Sequence, residues 1–232
     1  MDLNILFEGG SKVDANYVPA IITASVALIA AILAQVLNNV LTNKREEKKY
    51  YRDIYGKLIA DKLNLLIEYA YMFRNPMSED ELEEKSLEKI INKFEGDIQY
   101  FNPRLQLNYS YYKIHEYIDG SSEEIKRRLE FEIAFHFIVY AKTVIKKAKI
   151  NTDEGYDALL SNVASTFAYL AIGTNFNGFD LTRNNLTGLI RAFDNTLNEY
   201  SIDYYEDLLI NDYKYPAEAL VSKVDNKIRE LY

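Results

Sequence analysis

The sequence predicts an all-α protein: an amino-terminal transmembrane helix that continues into a stalk, then an irregular cytosolic bundle of about six or seven helices. Three observations lead there. No charged residue stands between Asp14 and Lys44. No later segment alternates apolar and polar residues with the period of two that a half-buried strand requires. Apolar residues recur instead at three and four, and Gly and Pro fall at breaks: "RNPMS", "FNPR", "DGSS", "NFNGFD" and "KYPAE".

The first element is "VPAIITASVALIAAILAQVL", Val18 to Leu37. A span of the hydrocarbon core needs about 20 apolar residues, and this run supplies them. Thr23, Ser25 and Gln35 are its only polar members. A helical hydroxyl bonds back to the carbonyl one turn earlier, so Thr23 and Ser25 cost little in lipid. Pro19 suits a first helical turn, where its missing N–H is not needed. A soluble helix of this length would turn a charged face to water, and none exists here.

Orientation follows from the flanks. The leader, residues 1–17, carries Asp2, Glu8 and Asp14 against Lys12. A cleaved signal peptide would place its positive charge there. The positive charge lies on the other side, at Lys44, Arg45, Lys48, Lys49 and Arg52. Cytoplasmic flanks carry the excess of Lys and Arg. The expectation is an uncleaved single-pass protein of the cell membrane, with its amino terminus outside. Residues 1–17 form an extracytoplasmic leader, 18–43 the anchor and 44–232 a cytosolic domain. The five basic residues are expected at lipid headgroups, each contributing about 1 kcal/mol close to an anionic surface.

Ala20, Ala24, Ala27, Ala31 and Ala34 are spaced four, three, four and three, and Asn38 continues the seam. Small residues on one face let helices approach closely in lipid, so this face is expected to support self-association.

The body begins with a helix over 46–73, with Tyr51, Tyr55, Leu58, Leu65, Tyr69 and Met72 inward and Lys62 interrupting the stripe. Ser78 and Glu81 read as a capping box before a helix over 79–97. A helix follows Pro103. Ser121 and Glu124 form a second box, opening a helix over 122–150. Within it "FEIAFHFIVYAKTVI", Phe131 to Ile145, is apolar nearly all round, which marks a central helix packed on several sides. Glu132 and Lys142 bracket too few residues for a second span. Helices over 153–172 and 181–200, "SIDYYEDLLIND" and a terminal helix after Pro216 complete the bundle.

Motifs exclude more than they assign. The chain has no cysteine, hence no disulfide and no thiolate chemistry. It has no P-loop, no Gly-x-Gly-x-x-Gly and no Gly-x-Ser-x-Gly. The two histidines, His115 and His136, sit in no metal-ligand spacing, and His136 lies in the most apolar segment, where a hydrogen-bonded core residue is expected. Arg127 and Arg128 stand further from His136 than the Arg–His motif of helical-bundle ribonucleases of the HEPN type requires. The acidic blocks Glu79–Glu84 and Asp203–Asp212 read as solvated helix faces. No catalytic residue, metal or cofactor is therefore expected. Lys142, Lys146, Lys147 and Lys149, with many tyrosines, form the one candidate patch for single-stranded nucleic acid. The net charge of −8 disfavours a broad nucleic-acid surface.

The span, the basic "NKREEKKYYRDIY" stalk and the Asn/Lys/Ile/Tyr-rich composition resemble small membrane-anchored bacterial proteins, among them abortive-infection and phage-exclusion proteins. The resemblance covers the first quarter of the chain. It implies a membrane-tethered interaction protein in phage defence or exclusion that binds a protein partner without catalysis. The alternatives are a tethered single-stranded nucleic-acid binder and an oligomerising, membrane-perturbing effector.

Overall fold

The computed structural model describes residues 18–72, 86–118, 122–192, 194–211 and 214–231. Among the described residues every regular element is helical. In chain order they are α1 (Val18–Ile54), a π-turn (Tyr55–Ile59), α2 (Ala60–Met72), α3 (Leu87–Asn92) and a 3-10 turn (Glu95–Tyr100). Then come α4 (Pro103–Glu116), α5 (Glu123–Ala148), α6 (Glu154–Asn177), α7 (Phe179–Arg191), a 3-10 turn (Thr196–Glu199), α8 (Ile202–Asn211) and α9 (Lys214–Leu231). The all-α class expected from periodicity is the observed one. The chain divides into two compact units, Met1–Glu47 and Lys48–Tyr232.

In the first unit, every described residue of α1 from Pro19 to Glu47 is exposed. Ile22, Leu28 and Leu37 keep 58%, 63% and 62% of their surface open. The helix is long and apolar enough to cross a membrane. Thr23 Oγ1 donates to Pro19 O at 2.8 Å, so its hydroxyl is satisfied within the helix.

The second unit is built around α5. Phe131, Ile133, Ala134, Phe135, Phe137, Ile138, Ala141 and Val144 are wholly buried and form one broad side of the helix, while Arg128, Glu132 and His136 share another. α6 packs along it in the most extensive contact of the bundle, and α4, α3 and the π-turn cover other sides. Aromatic pairs fill the joints. Phe94 stacks on Phe137 at 4.8 Å and Phe131 on Phe179 at 5.8 Å.

The expected helix over 46–73 is divided by the π-turn. Of the expected stripe Leu58, Tyr69 and Met72 are buried, whereas Tyr51, Tyr55 and Leu65 are half-buried, and Ile54, Ile59, Leu63 and Leu66 are buried in addition. A π-turn adds one residue to a helical turn, and here it lets the adjacent Leu58 and Ile59 both face the core. Lys62 is buried with them because its ammonium reaches Asp97 in the first 3-10 turn.

The expected helix over 79–97 is seen within the described residues only as α3. Its N-cap is Ser86, whose Oγ accepts from Lys89 N at 3.3 Å. The Ser78–Glu81 box lies outside the described residues. α4 starts as anticipated at Pro103, with Asn102 Oδ1 accepting from Leu105 N at 2.8 Å. α5 is capped by Ser122, which accepts from Glu124 N at 3.2 Å. Ser121, the expected cap, lies outside the described residues. Lys149 ends α5 in the left-handed region at φ 52°, and Arg52 Nε donates to Ala148 O at 3.2 Å.

α6 continues five residues past the expected Ile172, to Asn177, because the chain stays helical until Gly178. Gly178, at φ 75° and ψ 163°, supplies a conformation closed to other residues and turns the chain into α7. The expected helix over 181–200 stops at Arg191. Asp194 Oδ1 accepts from Thr196 N at 2.8 Å, a local bond that competes with helix continuation. Asp225 of α9 accepts from Asn177 and Asn185, tying that helix to both α6 and α7.

Two contacts give measurable consequences. A Cβ on Gly173 would stand 2.4 Å from Thr182 Cγ2, so α6 and α7 touch through that glycine. Gly173→Ala is expected to lower stability by about 1–3 kcal/mol in denaturant titration despite its better helix propensity, and Thr182→Ala in the same chain to recover most of the loss. Asp97→Ala leaves the Lys62 charge buried alone and is expected to cost about 3 kcal/mol; adding Lys62→Met should restore most of it.

Candidate functional site

Three surfaces carry the residues singled out in the sequence. On α1, Ala20, Ala24, Ala27, Ala31, Ala34 and Asn38 lie along one exposed face. The basic group beyond them divides. Lys44, Arg45 and Lys49 are exposed and Lys48 is half-buried, whereas Arg52 spends its Nε on the carboxyl end of α5.

The lysines at the end of α5 divide too. Lys142 Nζ donates to Ser161 Oγ at 2.6 Å and lies 3.2 Å from Asp157 Oδ1. Lys147 Nζ donates to Tyr51 OH at 2.9 Å and stands over that ring at 4.7 Å. Lys146 and Lys149 are exposed. Half of the expected patch therefore holds α5 to its neighbours. At the other end of α5, Lys126 pairs with Glu88 at 2.8 Å, and Arg127 lies over Phe179 at 4.3 Å.

Asp203 and Asp207 are exposed on α8, while Glu79–Glu84 and Asp212 lie outside the described residues. Among the described residues no three His, Asp or Glu side chains gather as metal ligands do.

The bundle does gather polar side chains at one place that the sequence reading did not single out. A groove of about 530 Å³ opens between α4, α5 and α6, with α8 and the start of α9 on its other side. Arg104, Asn108 and His115 of α4, Arg128 and Glu132 of α5, and Asn175 of α6 line it. Arg128 Nη1 donates to Asn175 Oδ1 at 3.0 Å, and its Nε lies 3.3 Å from Glu132 Oε1. Arg104 Nε and Asn108 Nδ2 are buried with no hydrogen-bond partner among the described residues, and Asn108 as a whole is only 4% exposed.

His136 belongs to the same region of α5. It is buried as expected, but its Nε2 has no hydrogen-bond partner among the described residues. Burial, and then the positive charge of Arg104, push its pKa down to about 4, so the ring is neutral.

The signal for this groove was present in the chain. Arg104, Asn108, Tyr111 and His115 recur at four, three and four in α4, and Arg128, Glu132 and His136 at four and four in α5. Each series shares a helix face. Which faces oppose each other depends on helix packing, so the two series could not be joined in advance.

No family model, no curated protein and no solved structure matches this chain.

One more buried group on α5 makes stability depend on pH. Burial pushes the Glu130 carboxyl up to about 7, against the charge of nearby Lys126. A carboxyl raised in the fold contributes stability that is complete below its ordinary value of 4.5 and is lost as pH rises through 7. His136 acts at the acid end, its contribution present above 6.5 and lost as pH falls through 4. Glu130→Gln is expected to raise stability at pH 8 by on the order of 2–3 kcal/mol, and the gain should vanish near pH 4, as read by denaturant titration at both pH values.

Proposed function

We propose that this is a single-pass protein of the bacterial cell membrane, with its amino terminus outside and its helical bundle in the cytosol. It acts by binding a protein partner at the inner face, in defence against phage or in phage exclusion, without catalysis. The observation that carries the reading is α1, whose apolar side chains are exposed along the whole length needed to cross a bilayer. The basic residues Lys44, Arg45, Lys48 and Lys49 beyond it, against an acidic leader, support the inward orientation of the bundle. The phage setting rests on the resemblance to membrane-anchored abortive-infection proteins. The engagement of Lys142 and Lys147 within the bundle favours this reading over a nucleic-acid binder.

The absence of cysteine makes the topology directly testable. Ser11→Cys is expected to react with a membrane-impermeant maleimide in intact cells, and Ser222→Cys only after the cells are opened. Labelling of Ser222→Cys in intact cells would reverse the orientation. Expression of the full chain should reduce plaque formation by a susceptible phage, and a protein crosslinked to the bundle during infection should be absent when the bundle is deleted. Unchanged plaque counts would remove the phage role.

A further inference from the structure

The bundle strands hydrogen-bond donors where it has a groove. Arg104 cannot lose its proton, lines the groove, and has no ion-pair partner among the described residues. Asn108, one helical turn further along α4, is more than nine-tenths buried, with its Nδ2 unmatched beside the same space. A polar group buried without a partner costs stability, and packing alone would be served better by apolar side chains of similar shape. Such groups call for an acceptor from elsewhere.

The geometry points to a binding site for a small phosphate-bearing molecule in this groove, with Arg104, Asn108 and Arg128 as the phosphate's donors. Arg128 is held ready by Asn175 at 3.0 Å and Glu132 at 3.3 Å. Two arginines against one glutamate leave one formal positive charge on the wall, and the uncancelled one is Arg104. Guanidinium forks and amide N–H groups are the natural partners of phosphate oxygens. The groove, about 530 Å³, falls in the range of small-molecule sites. Tyr111, half exposed, and Phe176 line it as well, giving an aromatic wall for a planar group carried by the phosphate. The site lies wholly within Lys48–Tyr232 and depends neither on membrane orientation nor on a role against phage.

The test uses the full chain in detergent micelles, titrated calorimetrically with adenosine 5′-monophosphate, inorganic phosphate and adenosine. The nucleotide is expected to bind saturably, phosphate to compete with it, and adenosine to bind far more weakly. Arg104→Met and Asn108→Leu should each weaken nucleotide binding about ten- to hundredfold. Without ligand, each should melt no lower than the parent chain, because each removes an unmatched buried donor. Lys93→Gln, an exposed basic residue on no part of the groove, should leave binding unchanged. Absence of binding by both phosphate probes overturns the proposal, and so does adenosine binding as tightly as the nucleotide. A lower melting temperature for ligand-free Arg104→Met, with nucleotide binding intact, would make Arg104 structural and overturn it as well.

Discussion

The middle of α5, Phe131 to Ala141, is buried nearly all round, and so apolar a stretch has to be covered by several neighbours. The rest of the bundle follows from that requirement. α6 lies along one side, itself buried through the consecutive residues Phe167 to Ala171. α4, α3 and the π-turn close other sides, and Phe94 and Tyr140 tie the first 3-10 turn to it, the latter through Tyr140 OH donating to Tyr100 O at 2.8 Å. The outer helices are then positioned by what covers α6. Gly173 lets α7 approach, Gly178 turns the chain, and Asp225 fastens α9 across both. The irregularity of the bundle is the consequence of wrapping short helices around two long apolar ones.

The cover is interrupted by polar groups of three kinds, and their chemistry separates them. Lys62 and Asp97 satisfy each other, so they behave as a fastening between α2 and the turn after α3. Glu130 and His136 answer burial by shifting toward their neutral forms, which is the usual escape of a titratable group from low dielectric. Arg104 has neither escape. It keeps its charge at every accessible pH, and its Nε finds no partner among the described residues. The groove thus holds a buried group that titration cannot neutralise, beside the unmatched Nδ2 of Asn108.

The amino-terminal unit obeys the opposite rule. Between Pro19 and Glu47 the side chains of α1 are open, although its first twenty or so residues are as apolar as the core of the bundle. In water such a surface would be a severe cost; hydrocarbon would suit it, because the backbone bonds of a helix are already internal. One chain therefore contains two long helices with apolar runs in opposite surroundings. α5 carries Glu132 and Lys142 within its apolar run, whereas Val18–Leu37 has no charge at all.

Helix periodicity, the uncharged run from Val18 and the breaks at Pro103 and Gly178 were legible in the chain, because each is a local property of spacing, charge or backbone freedom. The central place of α5 was legible for the same reason. The π-turn at Tyr55 was not, since two adjacent residues, Leu58 and Ile59, are drawn inward only by neighbours distant in sequence. Nor were the short α3 and the early end of α7, where local side-chain bonds win over periodicity. The groove was half legible: the spacing of Arg104, Asn108 and His115, and of Arg128 and Glu132, placed each set on one helix face. The amino-acid sequence by itself determined the helical class, the long apolar amino-terminal helix and the core helix, because those depend on neighbours along the chain. Only the tertiary structure decided that Arg104 and Arg128 meet across one groove with buried donors unmatched, because the rotation and crossing of α4, α5 and α6 are set by long-range packing.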